Sequence, residues 1–228
     1  MRLFSVLLAL LATTPVPGFG QELTSRRPVA TYSIVARDAE TGEMGVAVQS
    51  HWFSVGAIVP WAEAGVGAVA TQSFVEPSYG PLGLELMRMG RSASEALRAL
   101  VSTDADEAVR QVAMVDANGI VAAHTGARAI DAAGHHVGVG YSTQANMMEN
   151  ATVWDAMSRA YESSTGDLAE RLLAALEAAQ AVGGDIRGKQ SAALIVVSGE
   201  PTGTPWIDRR FDLRIEDHPT PVVGSGDW

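Results

Sequence analysis

Thr31 is the residue around which chemistry can be arranged. It opens a run with strand periodicity, TYSIVARD, in which Ile34 and Ala36, then Val46 and Val48 beyond a turn, recur with a period of two. If the Ala30–Thr31 bond is cut, the threonine hydroxyl becomes a nucleophile carrying its own base. A free α-amine titrates at about 7.7–8.0 and can take the hydroxyl proton without a separate histidine. Uncut, the nitrogen is an amide with no basicity, and Thr31 reads as a β-former at a strand start. Ser50 and His51 close the return strand. Asp185, Lys189 and Ser191 lie in and beyond a polar, Gly-rich loop ahead of the last apolar strand.

Other chemistries find less support. The chain has no cysteine, which excludes disulfides, thiolate catalysis and cysteine zinc sites. Its five histidines (His51, His124, His135, His136 and His218) form neither an H-x-x-x-H nor an H-E-x-x-H pair. His135 and His136 are adjacent, so on a strand they face opposite ways. A serine elbow of the G-x-S-x-G type and a phosphate loop are both absent. The expectation is a site with no metal and no cofactor.

The elements that must position Thr31 read as follows. Strands are expected at about 31–37, 44–50 and 55–61, the first two joined by the turn Asp38–Gly42, followed by a β-like run over Gly65–Gln72. A helix runs from about 82 to 89, and Ser92 with Glu95 forms a capping box for another through Val101. A hairpin turns at Asp116–Gly119, and one extended piece covers 137–142. Helices near 150–161 and 167–181 precede strands at 190–198 and 207–215. Hairpins rather than repeated βαβ units imply antiparallel sheet and the α+β class.

Residues 1–20 have the pattern of an export signal. Arg2 supplies the charge, Leu3–Ala12 the apolar core, and Gly18 and Gly20 the small residues before Gln21. The apolar run is too short to span a membrane. Residues 21–30 read as a flexible lead-in, 31–218 as one domain and 219–228 as a tail; the expected location is exported, periplasmic or secreted. The net charge of −10 argues against nucleic acid or an anionic membrane as a partner.

The segments TYSIVARD (31–38), GVGAVATQS (65–73), YGPLGLELM (79–87), AAHTGARAI (122–130), GYSTQANMM (140–148), GGDIRGKQSAALIVV (183–197) and DLRIEDHPTP (212–221) carry a resemblance. Together they resemble a bacterial and archaeal family catalogued as domain of unknown function 1028. That family is placed in the N-terminal-nucleophile (Ntn) hydrolase superfamily with the proteasome β-subunit. The similarity runs from Thr31 to Pro219 and implies an αββα four-layer sandwich, two antiparallel sheets flanked by helices. It further implies Thr31 as nucleophile, with an oxyanion donor from Thr71-Gln72-Ser73. His51, where many members carry Lys, falls at a position that tunes the amine. Ser142, Asp185, Lys189 and Ser191 fall in loops that buttress the nucleophile. The implied substrate is a small amide or peptide, and a homo-oligomer is compatible. Two readings stay open: an amidohydrolase acting through Thr31, or a non-catalytic relative that binds a ligand or assembles.

Overall fold

The computed structural model describes residues 28–222. The expected export signal and most of the lead-in expected at 21–30 lie outside the described residues, as does the expected tail beyond 222. The described part of the lead-in is not loose: Val29 and Ala30 are fully buried. At the other end Val222 packs against the core.

The chain forms two antiparallel sheets. The larger has six strands in the order β10-β9-β2-β1-β8-β7. Its members are β1 (Thr31–Arg37), β2 (Met44–Ser50), β7 (Gly134–Gly138), β8 (Tyr141–Asn146), β9 (Ser191–Val197) and β10 (Arg209–Ile215). The smaller has the order β3-β4-β5-β6, built from β3 (Pro60–Glu63), β4 (Gly67–Ser73), β5 (Arg110–Asp116) and β6 (Val121–Thr125). Helices α1 (Tyr79–Arg88) and α2 (Ala93–Val101) cover the smaller sheet. Helices α3 (Val153–Ser163) and α4 (Leu168–Ala181) cover the larger, and a single turn, α5 (Pro205–Asp208), precedes β10.

Strand alternation divides the core into three layers. Val35, Val46 and Val48 meet Ala68, Ala70, Ala113 and Val115 between the sheets. On the opposite face of the larger sheet Tyr32, Ile34, Ala47 and Leu194 pack under Met157, Leu172 and Leu176. Val69, Val112 and Met114 sit under Leu84, Met87 and Leu97. Burying a side chain such as Leu172 contributes about 2 kcal/mol. The result is an α+β sandwich, helices outside and two sheets inside.

Two expectations fail locally. The strand read over 55–61 is a 3-10 turn at Val55–Ala57 followed by β3. Ser54 is left-handed (φ 57°), and the N–H groups of Ala57, Ile58 and Val59 bond back to Ser54 and Val55. The apolar residues there fold on themselves, and Gly56 lets the turn approach Ala193 more closely than a Cβ would allow. The extended piece at 137–142 is a tight hairpin, with Gly138 opposite Tyr141 and Gly140 at φ 75°. Its return strand, β8, lies directly against β1 and carries Ser142, Gln144 and Asn146 toward the smaller sheet.

Candidate functional site

The inter-sheet layer is apolar at one end and polar at the other. Strand parity gives β1 the alternating faces Thr31/Ser33/Val35 and Tyr32/Ile34/Ala36, and the first of these faces the smaller sheet. At the polar end Gln72 of β4, Gln111 of β5, Gln144 and Asn146 of β8, and Ser33 are all fully buried. Ser33 Oγ donates to Gln72 Oε1 (2.7 Å), and Gln144 Nε2 donates to Ser33 Oγ (2.6 Å). Ser142 Oγ donates to Gln144 Oε1 at 3.0 Å. Gln111 Oε1 accepts from Gln72 Nε2 (2.7 Å) and Asn146 Nδ2 (3.0 Å). Gln72 Nε2 also reaches the Thr31 carbonyl at 3.3 Å. Buried amides survive only when bonded, and this network holds the backbone of Thr31 from below.

Thr31 is fully buried at the mouth of this layer. Its Oγ1 is 2.9 Å from the Val29 carbonyl and 3.2 Å from Ser50 Oγ, either of which accepts its proton. Ser50 stands opposite Thr31 in the β1–β2 register, and its Oγ donates to the Ala30 carbonyl. That carbonyl accepts a second bond, from Arg187 Nη2 at 3.1 Å. The peptide joining Ala30 to Thr31 therefore has a hydroxyl beside it and two donors on its oxygen.

Arg187 is fixed by Asp185. The Asp185 carboxylate accepts from the Arg187 backbone N–H, Nε and Nη2, and also from the His51 backbone N–H at 3.0 Å. The Asp185 side chain is sealed from solvent while that of Arg187 is 29% exposed, so the pair is buried at its acidic end, where four N–H donors fill most of the carboxylate's bonding capacity. Burial, and next the Asp185 charge, push the Tyr32 phenol far above its ordinary range, so it stays neutral. Tyr32 instead donates to Gln180 Oε1 on α4.

Residues 28–30 cross from one sheet to the other. Val29 N–H bonds Ser73 O at 2.7 Å, while Thr31 lies in the larger sheet. Ser73 is left-handed (φ 71°) without being glycine, as is Met147 (φ 58°) just past Asn146. Such conformations are held only where surroundings impose them, and functional sites collect them. Ser73 Oγ and Asn146 Oδ1 are buried without a hydrogen-bond partner among the described residues.

The residues singled out from sequence divide accordingly. Thr31, Asp185, Gln72, Ser73 and Ser142 are brought to the site or to the network beneath it. His51 contributes its backbone N–H, while its ring makes no hydrogen bond among the described residues. Lys189 does not pair with Asp185, whose partner is Arg187. Thr71 commits its N–H to Val59 O and its hydroxyl to Glu76 O, which leaves neither for an oxyanion. Ser191 anchors the turn after β2, accepting from Val55 N–H and donating to Trp52 O. Arg187 escaped the sequence reading; its signal was the Asp-x-Arg spacing within GGDIRGKQS. Among the described residues no group of three or more His, Asp or Glu could hold a metal, and no helix is long and apolar enough to cross a membrane.

Comparison with known proteins adds the family. Residues 31–224 match the family described as "Family of unknown function (DUF1028)", and the chain belongs to it. It is similar to the crystal structure of protein SPO2555 from Silicibacter pomeroyi, of that same family. The two are 32% identical with a TM-score of 0.75, over 85% of this chain and 81% of that one. A fainter likeness, 12% identity and TM-score 0.40, is to Anbu (ancestral beta-subunit) from Yersinia bercovieri, over 82% and 88% of the two chains. No curated protein matches.

Proposed function

We propose that the chain is the precursor of an exported Ntn-type amidohydrolase that cuts its own Ala30–Thr31 bond and then cleaves an amide or peptide through Thr31. The observation that carries this reading is the arrangement about the Ala30 carbonyl: Thr31 Oγ1 against Ser50 Oγ, and Ser50 Oγ and Arg187 Nη2 on the carbonyl oxygen.

The chain's own residues account for each atom. Thr31 Oγ bonds to the Ala30 carbonyl carbon; its proton passes to Ser50 Oγ while Ser50 gives its own to the Ala30 oxygen. Arg187 stabilises the charge that builds there, a kind of interaction worth on the order of 3 kcal/mol in a dry site. Collapse returns that proton to the nitrogen, breaks the C–N bond, and leaves Ala30 esterified to Thr31 Oγ. Water then hydrolyses the ester to an Ala30 carboxylate and a free threonine. With its amine exposed, Thr31 becomes nucleophile and base for an external amide, protonates the leaving amine, and loses its acyl group to water. The charged n-region at Arg2 and the apolar run Leu3–Ala12 support export.

One observation favours the other reading. With residues 28–30 in place, Thr31 is sealed and its hydroxyl has the Val29 carbonyl as an alternative acceptor, as in a binding or assembly protein that is never cut. Intact mass and N-terminal sequencing of the protein purified from its exported compartment decide between them. A start at Thr31, lost in Thr31→Ala, is the expected result. Residues 28–30 retained in every molecule would leave the non-catalytic reading standing.

A further inference from the structure

The three residues ahead of Thr31 are held as a ligand would be held, chiefly by their backbone. Arg187 Nη1 donates to the Pro28 carbonyl at 3.3 Å and Nη2 to the Ala30 carbonyl at 3.1 Å. The Val29 N–H between them bonds Ser73 O. One guanidinium thus reads the first and third carbonyls of an extended tripeptide, and one strand end reads the middle amide.

Side chains add a size requirement. Ala30 is fully enclosed, with no exposed surface into which a longer side chain could grow. Val29 is equally buried and belongs to the apolar cluster between the sheets. Around these residues are unpartnered polar atoms, Ser73 Oγ and Asn146 Oδ1, that the segment itself does not bond.

We propose that the space occupied by residues 28–30 is the acyl-donor subsite of the processed protein, selecting an extended peptide with Ala or Gly before the scissile amide and a small apolar residue before that. The proposal rests on the hydrolase reading and deepens it by naming the substrate class. Specificity comes from Arg187, which engages two carbonyls two residues apart, and from the closed space around the Ala30 methyl. Asp185 acts by positioning Arg187. An acetyl group can stand in for the Pro28 carbonyl, so the smallest complete donor is acetyl-Val-Ala. Acetyl-Ala lacks the second carbonyl for Arg187.

The test uses protein whose N-terminus has been shown to be Thr31, with the 7-amino-4-methylcoumarin amides of acetyl-Val-Ala, acetyl-Val-Leu and acetyl-Ala. The expected kcat/KM for acetyl-Val-Ala exceeds both others by about tenfold or more, since small apolar differences in a closed pocket give discrimination of this order. Arg187→Lys should raise KM for acetyl-Val-Ala more than for acetyl-Ala, a split that a purely structural role would not produce. Equal or better cleavage of acetyl-Val-Leu would overturn the subsite and leave the hydrolase intact. Processed protein that cleaves none of the three, yet binds acetyl-Val-Ala acid saturably in a thermal-shift titration, supports the subsite and sinks the hydrolase. Neither cleavage nor binding overturns both, as does a chain that never loses residues 28–30.

Discussion

Arg187 bonds the Ala30 carbonyl at 3.1 Å across 157 positions of sequence, and Asp185 holds it there. The loop between α4 and β9 is thereby tied to the peptide bond that must break if Thr31 is to act. Removing Arg187 alone leaves the buried Asp185 carboxylate with its charge uncompensated. Arg187→Gln is expected to destabilise the fold by about 3–5 kcal/mol, and Asp185→Asn/Arg187→Gln by clearly less. Urea unfolding of the single and double variants measures the coupling. Equal losses would remove the ion pair from the account.

In the proposed cleavage Ser50 acts on the rate through its two hydrogen bonds, to Thr31 Oγ1 and to the Ala30 carbonyl. Ser50→Ala keeps the strand but removes both the relay and one donor to the Ala30 oxygen. Processing at Thr31 should slow by about 10²–10³-fold. Pulse-labelling followed by mass analysis reads the half-life of the uncut form, and an unchanged half-life would exclude Ser50 from the step.

Asp38 ties the β1–β2 turn to α4. Burial works to raise its carboxyl pKa, but bonds from the Thr41 N–H and hydroxyl and the Glu40 N–H, with the charge of Arg171, outweigh it and hold the group below the usual range. A depressed folded pKa means that the unfolded chain takes the proton first. The contribution is complete above the unfolded pKa of about 3.9 and is lost as pH falls through the folded one. Asp38→Asn should therefore flatten the stability profile below about pH 4. Chemical denaturation at a series of pH values checks this; a profile parallel to the parent's would remove Asp38 from acid unfolding.

Gly67 opens β4 where no side chain fits. An added Cβ would lie 2.6 Å from Val115 O and 2.7 Å from Met87 Cε. The methionine can move but the carbonyl belongs to the ladder, so Gly67→Ala is expected to cost about 1–3 kcal/mol. A thermal melt registers the loss, whereas Gly90→Ala meets no atom nearby and is burdened only by its positive φ.

Helix α4 begins with a full capping box, Asp167 and Glu170 each accepting from the other's backbone N–H. Asp167→Ala should destabilise by about 1 kcal/mol, and Asp167→Ser by less. Comparison of their unfolding midpoints is sufficient, and equal midpoints would mean that the helix start is held by packing instead.

What could be read without coordinates followed local rules. The Ser92–Glu95 box and the turn at Asp116–Gly119 each have a short-range signature, and both are present. Two elements were misread because tertiary contact decided them. Val55–Val59 is apolar enough for a strand but curls against β9, and Val139-Gly140 reverses a segment whose composition reads as continuous. The site was legible only in part. Thr31 and Ser33 on β1, and Ser142, Gln144 and Asn146 on β8, are polar at every second strand position, a pattern that ordinarily marks a solvent face. Here the second sheet covers that face, so the polar residues bond one another. Arg187 acquires its role only when its loop is brought against residues 28–30, and the Asp-x-Arg spacing marks the pair without announcing what it will hold.

The amide layer beneath Thr31 also acts as an alignment key during assembly. A one-residue slip of either facing strand would turn Gln72, Gln111 or Gln144 away from its partner and leave polar atoms stranded, at about 1–3 kcal/mol for each. Valine and alanine faces alone tolerate several dockings of nearly equal energy. With the glutamines in place the two sheets have one favoured docking, and the same docking brings Ser73 beside Val29, two residues ahead of Thr31. Docking of the sheets and seating of residues 28–30 ahead of Thr31 are thus a single event.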